Sequence, residues 1–181
     1  MPFDVPEALL QLLSVHRERR RSLRAQRNNS DGAEEHSNFI DSIRRLFSGG
    51  GPVDAVAKGY VGAMNSWEDE MEREHDAFLL DPGMGPMLYL TADGRILEDM
   101  RGWDGDAVNE LTEEKAYAAL VIGAKKTGIA ELLDLIPAAP VGAETCARCK
   151  GKRTAEPVEG FGHELPCDAC GCRGWTKRPP S

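Results

Sequence analysis

Five cysteines near the C-terminus are the residues whose types and spacing point most clearly to chemistry. Four of them form two Cys-x-x-Cys pairs, Cys146 with Cys149 and Cys167 with Cys170, and 17 residues separate the pairs. The short spacing within a pair lets two sulfurs of one tight turn point at the same ion, and the segment between the pairs can return as a hairpin. Two such pairs are the usual ligand set for tetrahedral Zn²⁺. We therefore predict one zinc ion bound by these four cysteines.

Four thiolate ligands predict a structural metal. Catalytic zinc keeps an open position for water or substrate, whereas a Cys₄ site is closed. So short a segment has little core of its own, and a structural zinc contributes on the order of 10–16 kcal/mol apparent binding energy to folding. The alternative is a pair of redox dithiols, although a redox Cys-x-x-Cys normally occurs singly at a helix start after a strand.

Two further side chains in this segment could take part in the metal site. Cys172 is the odd cysteine, and it could exchange with Cys170 or remain a free thiol. His163 could replace one of the cysteines as a ligand. The spacing alone leaves these alternatives open.

The two cysteine segments resemble a known zinc-binding repeat. Cys146-Ala-Arg-Cys149-Lys-Gly151 and Cys167-Asp-Ala-Cys170-Gly-Cys-Arg-Gly174 are similar to two copies of Cys-x-x-Cys-x-Gly-x-Gly, the repeat of DnaJ-type cochaperones and of lambdoid phage antitermination proteins of the Q type. Arg153 and Cys172 stand at glycine positions of the repeat, and the chain has no His-Pro-Asp tripeptide of a J-domain. The resemblance implies a zinc site and a binding role, without chaperone or antitermination activity, and it does not extend to residues 1–142.

Two groups of basic residues are candidates for binding a partner. One surrounds the cysteines and includes an aromatic residue: Arg148, Lys150, Lys152, Arg153 and Trp175. The other lies within about 120° of one helix surface at 100° per residue: Arg17, Arg20, Arg21, Arg24 and Arg27. Guanidinium groups on one side of a helix can bind phosphates or carboxylates. The alternative for the arginines is pairing with the acidic third helix of the same chain, or a solvated face.

The charge distribution weighs against bulk nucleic-acid binding. The chain has a net charge of −8; residues 1–50 carry +1, residues 51–137 carry −11 and residues 138–181 carry +2. Four thiolates with one Zn²⁺ add about −2 and so bring the last segment to about zero. Basic residues beside aromatic ones can bind single-stranded nucleic acid, but the balance favours a protein-facing or structural ribbon.

The elements that must position these residues predict an α+β fold with a helix-rich body. Apolar periodicity and capping signals predict a helix that begins near Asp4–Glu7 and ends near residue 28, with further helices over about 33–47, 53–79, 113–126 and 129–136. Asp93-Gly94 between short β-prone runs predicts one hairpin, and residues 103–109 resemble a loop. We predict a body over 1–137, a linker over 138–142 and a small Cys₄ zinc ribbon over 143–178.

These features predict a non-enzymatic, zinc-binding adaptor or regulator of the inhibitor or immunity type that recognises a protein partner. The alternative is a nucleic-acid-associated transcription regulator that uses the arginine helix and the basic ribbon, and a third reading is an enzyme with an unreadable site in the body. No stretch approaches the ~20 apolar residues of a membrane span. Asp4 and Glu7 stand where a signal peptide has its basic region, so we expect a cytoplasmic protein.

Overall fold

The computed structural model describes residues 2–29, 65–81, 86–101, 107–155 and 165–177. The helix predicted over 33–47, the first part of the helix predicted over 53–79 and His163 lie outside these residues. The chain divides into two compact units, one of Met1–Ser14 with Ala77–Ser181 and one of Val15–Asp76. The fold is α+β, with helices and a small antiparallel sheet, as the sequence predicted.

Two helices supply the described part of the Val15–Asp76 unit. Helix α1 spans Glu7–Asn29 and enters this unit at Val15. Its start and end lie close to those predicted. The described part of α2 covers residues 65–75, and Asp76 has a positive φ of 45°. The predicted continuation of this helix to residue 79 is wrong, because a strand begins at Ala77.

Four antiparallel strands form the sheet of the other unit: β1 Ala77–Asp81, β2 Met87–Thr91, β3 Ile96–Asp99 and β4 Val108–Glu110, in the order β1-β2-β3-β4. The β2–β3 pair is the hairpin that Asp93-Gly94 predicted. Strand β1 was missed because its apolar run is buried on both faces, and such a short run cannot be distinguished from buried helix by periodicity. Strand β4 corrects the loop predicted over 103–109 at residues 108 and 109, while residues 103–106 lie outside the described residues. The short, largely exposed sequence of β4 carries no alternating pattern.

The main core lies on one face of this sheet. Phe78, Leu90 and Ile96 stand opposite one another across three strands. They belong to the same buried cluster as Leu9 and Leu13 of α1. The cluster also contains residues of helix α3, which spans Glu113–Thr127, and of the 3₁₀ helix Ala130–Leu135 that follows it.

Helix α3 lies where the sequence placed a helix, and its two ends have clear physical signals. Glu113 and Glu114 occupy the first turn, Lys125 and Lys126 occupy the last, and both pairs complement the helix dipole. Gly128 adopts the left-handed conformation, φ 76°, and its N–H donates to the Ala124 carbonyl. The predicted linker, 138–142, is exposed, and so is Pro137 before it. The division into body, linker and ribbon stays a prediction.

Gly94 in the β2–β3 turn contacts the N-terminal residues and so fixes them to the sheet. Its φ is 84°, the Phe3 N–H donates to its carbonyl at 2.7 Å, and a Cβ at this position would lie 1.9 Å from the Phe3 carbonyl oxygen. We expect Gly94→Ala to lower the free energy of unfolding by about 2 kcal/mol or more, because it adds left-handed strain to a backbone clash. Urea unfolding measures the change, with Gly128→Ala as control, since its φ is similar but no atom lies within 4 Å of its added Cβ. Equal losses for the two variants would contradict the role of the Phe3 contact.

Candidate metal centre

Each cysteine pair follows the end of a short strand. Strand β5, Glu144–Thr145, pairs with β8, Trp175–Thr176, and Cys146 comes directly after β5. Strand β6, Thr154–Ala155, pairs with β7, Leu165–Pro166, and Cys167 comes directly after β7. Two small antiparallel ladders therefore fix the starting points of both Cys-x-x-Cys turns.

Backbone hydrogen bonds close the two turns. The Lys150 N–H donates to the Cys146 carbonyl at 2.8 Å, and the Cys172 N–H donates to the Cys167 carbonyl at 2.9 Å. Gly174 has a φ of 82°, and a Cβ there would lie 2.9 Å from the Gly151 carbonyl oxygen. The last glycine of the second motif is therefore required where the two turns approach each other.

Four sulfurs meet between these turns. The Sγ atoms of Cys146, Cys149, Cys167 and Cys170 all lie within 4.8 Å of one another, and the four residues are buried. The Sγ–Sγ distance is 3.9 Å between Cys146 and Cys167, and 3.7 Å between Cys149 and Cys170. Both distances far exceed the 2.05 Å of a disulfide bond, and all five cysteines are free. The cluster could hold one metal ion.

The protein environment treats the thiols of this cluster differently. A hydrogen bond from the Cys149 backbone lowers the pKa of Cys146 to about 7. Burial raises the pKa of Cys167, and it raises the pKa of Cys170 to about 12. Without a cation, therefore, Cys146 is closer to deprotonation at neutral pH than Cys167 or Cys170, and a bound metal supplies the positive charge that favours all four thiolates.

Cys172 does not belong to the set of four sulfurs. It is 2% exposed and forms part of the main hydrophobic core, together with Tyr117 and Leu120 of α3. Its Sγ lies 3.7 Å from the Cys167 carbonyl oxygen, and burial raises its pKa to about 11. This thiol therefore packs as an apolar core residue, the behaviour expected of a buried cysteine.

The basic residues around the cysteines differ in exposure. Arg148, Lys150 and Lys152 are exposed, and Arg148 forms an ion pair with Asp168 at 2.8 Å. Arg153 is half-buried. Trp175 is also half-buried, and its Nε1–H donates to the Pro137 carbonyl at 3.1 Å. The first three side chains thus remain open to a partner, while the indole of Trp175 is held within the chain.

The arginines of α1 face carboxylates of the same unit. Arg20 donates through Nε and Nη2 to Glu68, at 3.3 and 3.2 Å, and Arg24 donates to the same carboxylate at 3.4 Å. Arg17 pairs with Asp76 at 3.3 Å, Arg24 also pairs with Asp69 at 3.3 Å, and Arg21 pairs with Glu72. Internal pairing, which the sequence left open, is therefore present for these four arginines.

Two of the carboxylates in these pairs are buried: Glu68 is 5% exposed and Glu72 is 8% exposed. The side chain of Arg21 is 54% exposed, so part of its guanidinium remains accessible to other molecules. The side chain of Arg27 lies outside the described residues. The proposed use of all five arginines for partner binding stays a prediction.

Arg173 is a structural residue whose role the sequence did not reveal. Its guanidinium carbon lies 5.5 Å from the ring centroid of Tyr117 and 5.8 Å from the ring centroid of Trp175. It also forms an ion pair with Glu113 at 3.6 Å, and the Tyr117 hydroxyl donates to the same carboxylate at 2.6 Å. We call residues 171–175, together with the residues of α3 that they contact, the ribbon–body joint. Its members lie far apart in sequence, so no local signal could have identified it.

Comparison with known proteins adds no assignment to this geometry. The chain matches no protein-family model, no curated protein and no solved structure. Among the described helices, none has the length and apolar character that a bilayer span requires. The function must therefore be argued from the site.

Proposed function

We propose that this chain is a non-catalytic, zinc-binding regulatory protein of the cytoplasm whose zinc ribbon recognises a protein partner. The observation that carries the proposal is the closed cluster of four buried cysteine sulfurs. A site with four thiolates has no open position for water or substrate, so it favours a structural role for the metal.

The sulfur geometry supports zinc as the metal. Tetrahedral Zn–S bonds of about 2.3 Å place neighbouring sulfurs about 3.8 Å apart. Two of the six sulfur–sulfur separations, 3.9 and 3.7 Å, are close to that spacing, and all six lie within 4.8 Å. Thiolate ligands in a tetrahedral set also disfavour Mg²⁺ and Ca²⁺, which require oxygen ligands.

The exposed side chains of the ribbon support a partner with an acidic surface. Over 143–178 the ribbon carries seven basic and five acidic side chains, so four thiolates with one Zn²⁺, which add about −2, bring its net charge to about zero. The basic side chains are concentrated near the first cysteine pair, because residues 145–155 carry four basic side chains and no acidic one. Arg148, Lys150 and Lys152 are the exposed members on the first cysteine turn. A rigid metal-bound turn presents these charges with little conformational freedom to lose on binding.

A protein is favoured over a nucleic acid as the partner. Most of the α1 arginines already pair with carboxylates of the same unit, so fewer of them remain to bind phosphates. The net charge of −8 of the chain opposes a long phosphate backbone more than it opposes a partner whose acidic surface is local.

The test is partner capture by the full-length, zinc-loaded protein with cross-linking and mass spectrometry. We expect the triple variant Arg148→Ala/Lys150→Ala/Lys152→Ala to retain one zinc per chain and to lose at least about tenfold in partner affinity, since each contact at a charged interface contributes on the order of 1 kcal/mol. The control variant Lys115→Ala/Lys125→Ala/Lys126→Ala removes the same charge from exposed positions of α3 and should bind normally.

Salt and nuclease treatment separate the two classes of partner. For a nucleic-acid complex, the logarithm of the binding constant falls linearly with the logarithm of the salt concentration, with a slope near −0.9 for each neutralised phosphate. Nuclease treatment also destroys such a complex. A protein complex survives nuclease and depends less steeply on salt. Equal partner binding by the two triple variants would contradict the proposed ribbon surface, and loss of binding after nuclease treatment would contradict the protein partner.

A further inference from the structure

We propose that metal binding at the four cysteines is coupled to the packing of α3 through the ribbon–body joint, so that metal occupancy regulates the folded body as well as the ribbon. This inference rests on the metal site of the proposed function and concerns its regulation. The arrangement of residues 170–175, which serve both the metal site and the body, carries the inference.

The first observation is the short distance along the chain between a metal ligand and a core residue. Cys170 belongs to the sulfur cluster, whereas Cys172 belongs to the hydrophobic core that contains Tyr117 and Leu132. Only Gly171 separates the two cysteines. Because both side chains are almost fully buried, one in each environment, this segment cannot rearrange around the metal site without moving a side chain of the core.

The second observation is the packing of Arg173 over two aromatic rings. Its guanidinium lies near the ring of Tyr117, on α3, and near the ring of Trp175, on β8. Glu113, one turn before Tyr117, forms an ion pair with the arginine at 3.6 Å and accepts a hydrogen bond from the tyrosine hydroxyl at 2.6 Å. A guanidinium over two aromatic rings, paired with a carboxylate, links the ribbon to α3 by electrostatic contacts as well as apolar contacts.

Two further contacts extend the joint. A Cβ at Gly171 would lie 3.8 Å from Cγ of Glu114, so this turn lies against the first turn of α3. The Trp175 Nε1–H donates to the Pro137 carbonyl, which follows the 3₁₀ helix. The joint therefore reaches both ends of the α3–3₁₀ segment. Loss of the metal would release residues 170–175, and with them one boundary of the core of the body.

Thermodynamic linkage makes the coupling measurable in both directions. If metal binding stabilises the packing of α3 by some factor, then a substitution on α3 that removes this coupling must weaken metal binding by that same factor. A ribbon that folds around its metal independently of the body would show no such effect. Tyr117 is a suitable position, because it contacts Arg173 and is not among the metal ligands.

The experiment measures zinc affinity by competition with a chromophoric chelator, using the full-length protein. We expect Tyr117→Leu and Arg173→Gln each to weaken zinc binding by about tenfold, within the usual range of coupling between sites. Lys126→Ala, an exposed substitution on the same helix, should leave the affinity unchanged. Tyr117→Phe keeps the ring and removes only the hydroxyl, so it should have a smaller effect and serves if Tyr117→Leu fails to fold.

Hydrogen exchange provides the second measurement. We expect the amides of residues 116–121 to exchange at least about tenfold faster in chelator-treated protein than in zinc-loaded protein, because their protection depends on the joint. The coupling would be overturned if the protein binds one zinc tightly, the three variants keep its affinity, and α3 exchanges equally with and without metal. The three variants are Tyr117→Leu, Tyr117→Phe and Arg173→Gln. That result would leave the zinc site intact. Absence of stoichiometric zinc binding would overturn the proposed function and the coupling together.

Discussion

Replacement of Cys167 by serine should abolish stoichiometric zinc binding and unfold the ribbon. Cys167 is fully buried in the sulfur cluster, and its Sγ lies 3.9 Å from that of Cys146. A hydroxyl at this position is a poor ligand for zinc and leaves a buried polar group unpaired. Because a structural zinc contributes on the order of 10–16 kcal/mol of apparent binding energy, this is the largest single-residue effect that we expect. Metal analysis and limited proteolysis of residues 143–177 provide the measurement.

Cys172→Ala is the matched control for this substitution. It removes a thiol from the same turn, but that thiol lies in the hydrophobic core and is not one of the four clustered sulfurs. The variant should therefore still bind one zinc per chain at saturating metal, with an affinity weakened through the joint and a modest loss of stability from the small cavity. Loss of stoichiometric zinc at saturating metal from Cys172→Ala, or its retention by Cys167→Ser, would contradict the assigned ligand set.

Among the described residues of the Val15–Asp76 unit, we expect Glu68→Ala to be the most destabilising single substitution, by about 3–5 kcal/mol. The Glu68 carboxylate accepts from both nitrogens of Arg20 and from Arg24, and its side chain is 6% exposed. Its removal leaves two partly buried guanidinium groups near each other with no shared anion. Urea unfolding of the full-length protein, followed by circular dichroism, gives the change in the free energy of unfolding.

Asp69→Ala is the control for the ion pair, because it removes the same charge from the adjacent residue. Asp69 also pairs with Arg24, but its side chain is 62% exposed. An exposed pair of this kind contributes about 0–1 kcal/mol and is screened by salt. Similar small losses for the two variants would show that the buried carboxylate does not organise the packing of α1 against α2.

The cysteine motifs and most local elements could be predicted from the sequence. The ligand set depends on two tight turns with fixed spacing. The β2–β3 hairpin depends on Asp93-Gly94, and the end of α3 depends on Gly128. Each of these signals lies within a few residues. The strands that flank this hairpin in the sheet, β1 and β4, were harder to predict from the sequence. The β1 run Ala77–Leu80 is buried on both faces, so it has no alternation, and it continues the apolar pattern of the preceding helix.

The roles of the charged residues depended on pairing between distant parts of the chain. The sequence placed five arginines on one side of α1, but a basic helix face can meet solvent, a partner or internal carboxylates. The structure places Arg20 and Arg24 on the buried carboxylate of Glu68, 44 to 48 residues away. The pattern of arginines along α1 would be the same whether they face solvent, a partner or internal carboxylates. Only the packing of α1 against α2 brings the arginines and Glu68 within hydrogen-bonding distance.

By itself, the sequence determined the four clustered cysteines, the α+β class and the hairpin, because turn geometry and short-range periodicity encode them locally. The tertiary structure decided that Cys172 lies in the hydrophobic core and outside the cluster of four sulfurs, and that Arg173 lies over the rings of Tyr117 and Trp175. Both outcomes depend on the position of the second cysteine turn against α3. That position follows from the burial of apolar side chains across more than 50 residues of chain, from Tyr117 to Cys172.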